Sequence, residues 1–454
     1  MSEKMYVTPQ PIEKYLDREL ECDCGHTHYV PIKGVEISSG AINTLPAYTK
    51  KLGYEHPYIL CDEITYKIAG KRCEELLKSD GIDSTVLILK HLSFDEATLG
   101  EIIINLPENC DLMIGVGTGS ITDMTRYSSF KLKLPCFTVA TGAPMDGFAA
   151  GIGIMNVNNL KKTMQAHTTE LIIGDTDILK TAPYRMTVAG FGDLIGKITC
   201  LNDWELARII NGEHYCGNIV ELVKKCVSDV LTLTPKIKAR DGEALGSVME
   251  GLVISGAAIG LYGSSRSGSG AEHHMSHYWE AIGDQRGRAY AMHGEQVAVG
   301  TVLVLMLVEE LLKREIDFDR ARAFAKSYDK SAWETEIRRA YGCAADEVID
   351  IEAKAHKNDT EKVLARIDSM EKHWGEIVEQ LKTLPTADYL LALLKDVGCP
   401  ALPADIGIDD ALLKDTFMYC KEVRARYTVF QTVYDLGLMD ELSDAIIKRL
   451  SELK

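Results

Sequence analysis

Four of the chain's twelve histidines fall between positions 273 and 293. The run is Gly270-Ala271-Glu272-His273-His274-Met275-Ser276-His277, followed by His293-Gly294-Glu295. Residues four apart share a helix face, so His273 and His277 point the same way. His274 and His277, three apart, also meet, so helical phase leaves His273 and His274 tied. Converging imidazoles suit Zn, Ni and Fe(II). A catalytic ion keeps three protein ligands and one open position, so a further ligand must come from another helix. Asp193, in Gly190-Phe191-Gly192-Asp193-Leu194, is the candidate. A carboxylate in that apolar, glycine-flanked setting is costly to bury unless it is paired or metal-bound, and a helix N-cap is the alternative. Cys22-Asp23-Cys24-Gly25-His26-Thr27-His28 reads as half of a zinc site, with no second CxxC or CxxH pair to complete it.

A second kind of chemistry is written in glycine. Gly115-Val116-Gly117-Thr118-Gly119-Ser120 joins an apolar strand to a helix carrying Asp123 and Arg126. Glycines at such a turn let backbone N–H groups approach a pyrophosphate, and the helix N-terminus favours its charge. The spacing departs from GxGxxG and follows the third recognisable strand, which points to a dinucleotide fold related to the Rossmann domain. Thr141-Gly142-Ala143-Pro144-Met145-Asp146-Gly147 follows the next strand, so both loops belong at the carboxyl end of one parallel sheet, where ligands bind. Asp62 ends another strand. It is placed to hold a ribose hydroxyl or to cap the helix that begins at Glu63.

The elements that position these residues fall into two classes. Tyr58–Cys61, Thr85–Leu89, Leu112–Val116, Cys136–Ala140 and Leu171–Ile173 are short apolar runs bounded by breakers and read as strands. Helical patterns at Glu63–Ser79 and Ser120–Lys131 alternate with them, which predicts βαβ units. From Tyr184 onward apolar positions recur at i, i+3, i+4 and i+7, with no convincing strand. The expected fold is therefore an α/β dinucleotide-binding domain over residues 1–182, mostly parallel in its sheet. An all-helical metal and substrate domain follows over 183–454, with the break at Ala182-Pro183. With 454 residues, two domains are the prior. The formal charge of −17 disfavours nucleic-acid partners. No signal-peptide pattern and no apolar run of roughly 18 residues is seen, so no membrane span is expected; Gln296–Val308 reads as a buried helix. Twelve unpatterned cysteines suit reduced thiols and a cytoplasmic setting.

Taken together, these segments resemble the iron-containing alcohol dehydrogenase and dehydroquinate synthase superfamily. The resemblance rests on Gly117-Thr118-Gly119-Ser120 with Asp123, Thr141–Gly147, Gly190–Asp193, Ser269–His277 and His293-Gly294-Glu295, in that order. Asp175-Thr176-Asp177, Asp203-Trp204-Glu205-Leu206 and Cys22-Asp23-Cys24-Gly25 are similar to its bacterial sn-glycerol-1-phosphate dehydrogenase branch. The resemblance implies NAD(H) or NADP(H) held by Asp62, Gly117, Thr118, Gly119, Ser120, Ile121, Thr141, Gly142, Ala143 and Pro144. Ala150 falls in the same cofactor segment, where relatives often carry a serine. One divalent ion, Zn, Ni or Fe, would sit on Asp193, His273 and His293. The pattern Glu-His, three residues, His selects His273 over His274 and leaves His277 facing substrate, with Asp146 and Asp193 beside it. The implied reaction is reduction of dihydroxyacetone phosphate, with His277 and Asp193 catalytic. Arg266, Lys161 and Lys162 are candidates for the substrate phosphate, against a solvated surface role. A homodimer is expected from the same resemblance. The alternatives are a polyol or glycerol dehydrogenase, a dehydroquinate-synthase-like cyclase, disfavoured by Asp193 where that branch has Glu, and a non-catalytic nucleotide-binding protein.

Overall fold

The computed structural model describes residues 3–91, 93–157, 160–288 and 290–453, without the side chains of residues 160–163. The chain divides into two compact units. One comprises residues 1–194 and 217–265, the other residues 195–216 and 266–454.

The first unit is built on a six-stranded sheet. Its strands are β1 Gly34–Ser38, β2 Pro57–Asp62, β3 Thr85–Leu89, β4 Leu112–Gly117, β5 Cys136–Ala140 and β6 Leu171–Asp175. Their spatial order is β1-β6-β5-β4-β2-β3, and every pairing is parallel. The central strands are buried on both faces. Ile59, Ile114 and Val139 pack into one core, while Tyr58, Leu60 and Met113 pack into the other. Such strands read as continuous apolar runs, which is why sequence finds them. β1 is different. It is an edge strand with the pattern Gly-Val-Glu-Ile-Ser and pairs only with β6. The sequence reading passed over it, so the glycine loop follows the fourth strand of the sheet, not the third. An antiparallel pair, Ile152–Val157 with Leu160–Gln165, was also unforeseen.

The expected break at 182/183 does not coincide with this division. Helix α1, Gly119–Leu132, lies within the first unit, and α2, Tyr184–Asn211, carries the division at residue 194. Helices α3, Gly217–Thr232, and α4, Gly242–Tyr262, also belong with the sheet. A Cβ on Gly174 of β6 would lie 2.9 Å from Met249 Cγ, and one on Gly246 would meet Thr176 and Ile37. Helical periodicity announces a helix but not the surface on which it packs. Among the described helices, α4 alone is long and apolar enough to cross a membrane. An 18-residue window reaches a mean hydropathy of 1.6, yet 72% of that window is buried inside the protein, as in a core helix.

The regular elements among the second unit's described residues are all helices. Its centre is a pair of packed helices, α5 Ala271–Gln285 and α6 His293–Leu312. Residues Gly294–Val308 of α6 are buried without interruption, as the apolar run Gln296–Val308 predicted.

Candidate active site

In the first unit, the two glycine-bearing loops emerge side by side. The register pairs Gly117 with Ala140, and the Thr141 N–H donates to the Gly117 carbonyl at 3.0 Å. A Cβ on Gly117 would come within 2.6 Å of the Ile121 Cβ, so only glycine lets the strand turn this tightly into α1. Thr118 is the N-cap of α1, and its side chain makes no capping bond. Ser120 is exposed, Thr118 and Gly119 are half-buried, and Ile121 is buried under the turn. This arrangement has the form of an anion cradle at a helix N-terminus. Thr141, Gly142, Ala143 and Pro144 are buried beside it. Asp62 caps the helix that follows β2, with Oδ1 accepting from the Ile64 and Thr65 N–H groups at 2.7 Å each. Ala150 is buried, and its carbonyl accepts from the Arg126 guanidinium. Arg126 also pairs with Asp123, whose other oxygen accepts the Ile154 N–H at 3.0 Å. These two residues, seen from sequence only as helix side chains, therefore tie α1 to the 150–154 segment.

The Gly190–Asp193 motif has a packing explanation. A Cβ on Gly190 would lie 2.0 Å from the Ala143 carbonyl oxygen, so the 141–147 loop crosses α2 at closest approach. Three residues along, the wholly buried Asp193 accepts the Asp146 N–H through Oδ2 at 2.8 Å. On the loop's other side a Cβ on Gly256 of α4 would lie 2.5 Å from the Asp146 carbonyl oxygen. The Asp146 carboxylate accepts the Ser255 hydroxyl at 2.8 Å. Asp193 is mid-helix, so the N-cap alternative fails.

In the second unit, three imidazoles converge. The ring centroids of His273 and His293 are 5.2 Å apart, those of His277 and His293 5.7 Å, and those of His273 and His277 6.1 Å. Ligand nitrogens of His273 and His293 lie within 4.8 Å of each other. Each ring turns Nδ1 to a carboxylate. His273 faces Glu272 at 2.7 Å, and Glu280 receives His293 at 3.1 Å and His277 at 3.4 Å. With Nδ1 facing a carboxylate, an ion would be taken through Nε2, the usual arrangement behind a metal-binding histidine. Glu272 is buried completely. Its other partners are the Thr199 hydroxyl and the Gly270 N–H, both at 2.7 Å. Burial works to raise its carboxyl, but His273 and Thr199 outweigh that and hold it below the usual range. Burial also lowers His277, to about 4, so the ring is neutral at neutral pH. His274 is buried with neither ring nitrogen hydrogen-bonded among the described residues.

The helices close on Glu272 because glycine permits it. A Cβ on Gly300 of α6 would lie 2.8 Å from the Glu272 carbonyl oxygen, and one on Gly196 2.5 Å from Val297 Cγ1. Asp203, also buried, accepts the Ala271 and Val429 N–H groups at 2.7 Å each and so anchors the start of α5. Burial, then the Glu272 charge, pushes its carboxyl up to about 7.

One expected role fails. Arg266 is 2% exposed, binds Glu213 with two bonds of 2.8 Å, and donates to the Tyr427 carbonyl. Buried and paired in the fold, it is not the solvated surface charge that the sequence also allowed. The side chains of Lys161 and Lys162 lie outside the described residues. Sequence reasoning missed Glu280 and Ser255. Glu280 follows His277 by three, a spacing that offered a signal; Ser255, far from Asp146 in sequence, offered none.

The chain is similar to several known dehydrogenases. Residues 36–183 match the iron-containing alcohol dehydrogenase family. The glycerol-1-phosphate dehydrogenase (NAD(P)+) of Halalkalibacterium halodurans is 29% identical over 415 residues, which is 90% of this chain and 94% of that protein. The protein of the same name from Thermococcus sibiricus is 36% identical over 272 residues, 58% of this chain and 75% of its own length. The glycerol dehydrogenase structure from Schizosaccharomyces pombe shares the fold, with a TM-score of 0.61 and 17% identity over 93% of this chain and 92% of that one.

Proposed function

The chain belongs to the glycerol-1-phosphate dehydrogenase family, and from that premise we propose that it reduces dihydroxyacetone phosphate to sn-glycerol 1-phosphate with NADH or NADPH. It is a metal-dependent oxidoreductase. The observation that carries the reading is the set of imidazoles whose Nδ1 atoms rest on Glu272 and Glu280. Asp193, His273 and His293 form the proposed ligand set. Two imidazole nitrogens and one buried carboxylate fit Zn, Ni or Fe(II), and would leave one position for substrate. An ion bound there supplies Lewis-acid polarisation of a carbonyl oxygen. The nicotinamide supplies the hydride.

The chain's own residues do the rest. The 117–121 turn and the 141–144 loop hold the cofactor, the first through backbone N–H groups at the start of α1. Ala150 lies in the same segment and offers no hydroxyl. Asp62 holds a ribose hydroxyl through the oxygen it does not use as a cap. Asp146, fixed by Ser255 and by its N–H bond to Asp193, binds a substrate hydroxyl. His277, neutral and oriented by Glu280, holds the hydroxyl next to the reacting carbon and moves a proton at Nε2. Residues 1–182 and 183–454 are proposed as the cofactor and metal domains, the cytoplasm as the setting and a homodimer as the assembly.

The test is spectrophotometric. Metal-loaded protein is expected to oxidise NADH or NADPH when given dihydroxyacetone phosphate, and to lose that activity on chelation and in His273→Ala. Full activity after complete chelation overturns the reading.

A further inference from the structure

The residues Cys22 to His28 take no part in the site described above, yet they are built like a ligand set. Leu20–Glu21 pairs antiparallel with Thr27–His28, so Cys22 to His26 form the tip of a hairpin. The tip is closed by the Gly25 N–H on the Cys22 carbonyl at 2.9 Å and the Cys22 N–H on the His26 carbonyl at 3.1 Å. Gly25 sits at φ +90°, a conformation side chains rarely adopt. The turn brings two thiols and one imidazole together. The ligand atoms of Cys22, Cys24 and His28 lie within 4.8 Å of one another, with Cys24 Sγ 3.3 Å from His28 Nε2.

The surroundings orient these atoms. His28 is 1% exposed, and its Nδ1 lies 2.9 Å from the Leu261 carbonyl at the end of α4. A carbonyl only accepts, so Nδ1 carries the proton and Nε2 turns its lone pair towards the sulfur. The Asn218 side-chain amide donates to Cys22 Sγ at 3.4 Å, a contact that suits a thiolate. Asn218 stands in the first turn of α3. Cys216 precedes it by two residues, so its Cα is at most about 7 Å from that of Asn218. Cys216 is buried, and no disulfide engages it or the other cysteines.

We infer that Cys22, Cys24, His28 and Cys216 bind one structural Zn2+ as a closed Cys3His site. Three soft thiolates and one imidazole select zinc over magnesium, calcium or manganese, and four protein ligands leave no open position. The ion fastens the N-terminal hairpin to the helices on which Asn218 and Leu261 already hold it. This function is separate from hydride transfer, and it does not depend on the identity of the substrate.

The test uses the full chain purified under reducing conditions with zinc supplied. X-ray absorption at the zinc edge is expected to show a sulfur shell at about 2.3 Å. Cobalt substitution is expected to give the thiolate charge-transfer band and intense visible bands of a tetrahedral ion. His273→Ala is expected to retain the sulfur-bound equivalent, and the double variant Cys22→Ser with Cys24→Ser to lose it and melt earlier. The inference is overturned if wild-type protein with all thiols reduced shows no sulfur shell. It is equally overturned if the double variant keeps its sulfur-bound zinc, or if mass spectrometry finds Cys22 and Cys24 joined as a disulfide. The wild-type spectra decide the matter even where the double variant does not fold.

Discussion

In the helical unit, His273, His277 and His293 each rest Nδ1 on a carboxylate, Glu272 for the first and Glu280 for the other two. In the sheet unit, His28 rests Nδ1 on the Leu261 carbonyl, and its Nε2 faces the Cys24 sulfur at 3.3 Å. Carboxylates stand behind the imidazoles of the first cluster, which Asp193 would join as one charged ligand, whereas in the second the ligand atoms themselves would carry the charge. A carboxylate behind an imidazole raises its basicity while the ligand atom itself stays neutral. An ion held this way keeps net positive charge, an open position and the power to polarise a substrate oxygen. Thiolates put the negative charge directly on the ion, which satisfies it and quiets its chemistry. The difference separates a centre suited to catalysis from one suited to fastening a hairpin.

The largest effect should come from removing a ligand. His273→Ala is expected to reduce activity to background and to release one metal equivalent, while the sulfur-bound equivalent stays. Elemental analysis beside the rate assay checks this, and simultaneous loss of both equivalents would break the comparison. Next comes the carboxylate behind that ligand. Glu272→Gln keeps the volume but removes the charge, and metal affinity is expected to fall about 10- to 100-fold, read by chelator competition. Unchanged affinity would mean that Glu272 serves only the packing around Gly196 and Gly300. Glu280→Gln should act more gently, because its bonds to His277 and His293 are longer, at 3.4 and 3.1 Å. A fall of about tenfold is expected, divided between metal affinity, through His293, and kcat, through His277. A loss confined to protein stability would remove Glu280 from the site.

The same contrast explains what was legible in the sequence. Central strands buried on both faces announce themselves as apolar runs, as in β2, β4, β5 and β6, and β3, though at the other edge, still carries the apolar run Val86–Leu89. Edge strand β1 alternates polar and apolar residues, and its glycine hid it. Helix α4 was read as helical, but nothing in its periodicity says that Met249 packs against Gly174 of the sheet. At the site, local spacing gave His273, His277 and His293, and the family pattern separated His273 from His274. The Cys22–His28 hairpin was visible only as half a site, because Cys216 is remote in sequence. Arg266 was misjudged for the same reason, since Glu213 and Tyr427 become its neighbours only on folding.

The smallest expected effect is a pH dependence that belongs to one cluster alone. Asp203 and Glu272 are both buried near the start of α5, and burial, followed by the Glu272 charge, lifts Asp203 to about 7. An unfolded aspartate titrates near pH 3.9, roughly the model-peptide value. Between those two values the folded chain holds more protons than the unfolded one, so stability falls as pH rises. Against the upward slope that His277, depressed to about 4, gives below pH 6.5, roughly its unfolded value, Asp203 should therefore give the chelated protein a downward stability slope, read as melting temperature, between pH 5 and pH 7.5, roughly the two sides of its own window. Asp203→Asn should flatten this slope, and it should also lower stability throughout, because one of the N–H groups of Ala271 and Val429 loses its acceptor. The hairpin cluster should add nothing to the slope from its supports, because the Asn218 amide and the Leu261 carbonyl do not titrate. A pH dependence that is the same in Asp203→Asn as in the wild type would place the titrating group elsewhere and would detach the carboxylate floor of α5 from the chemistry of His273.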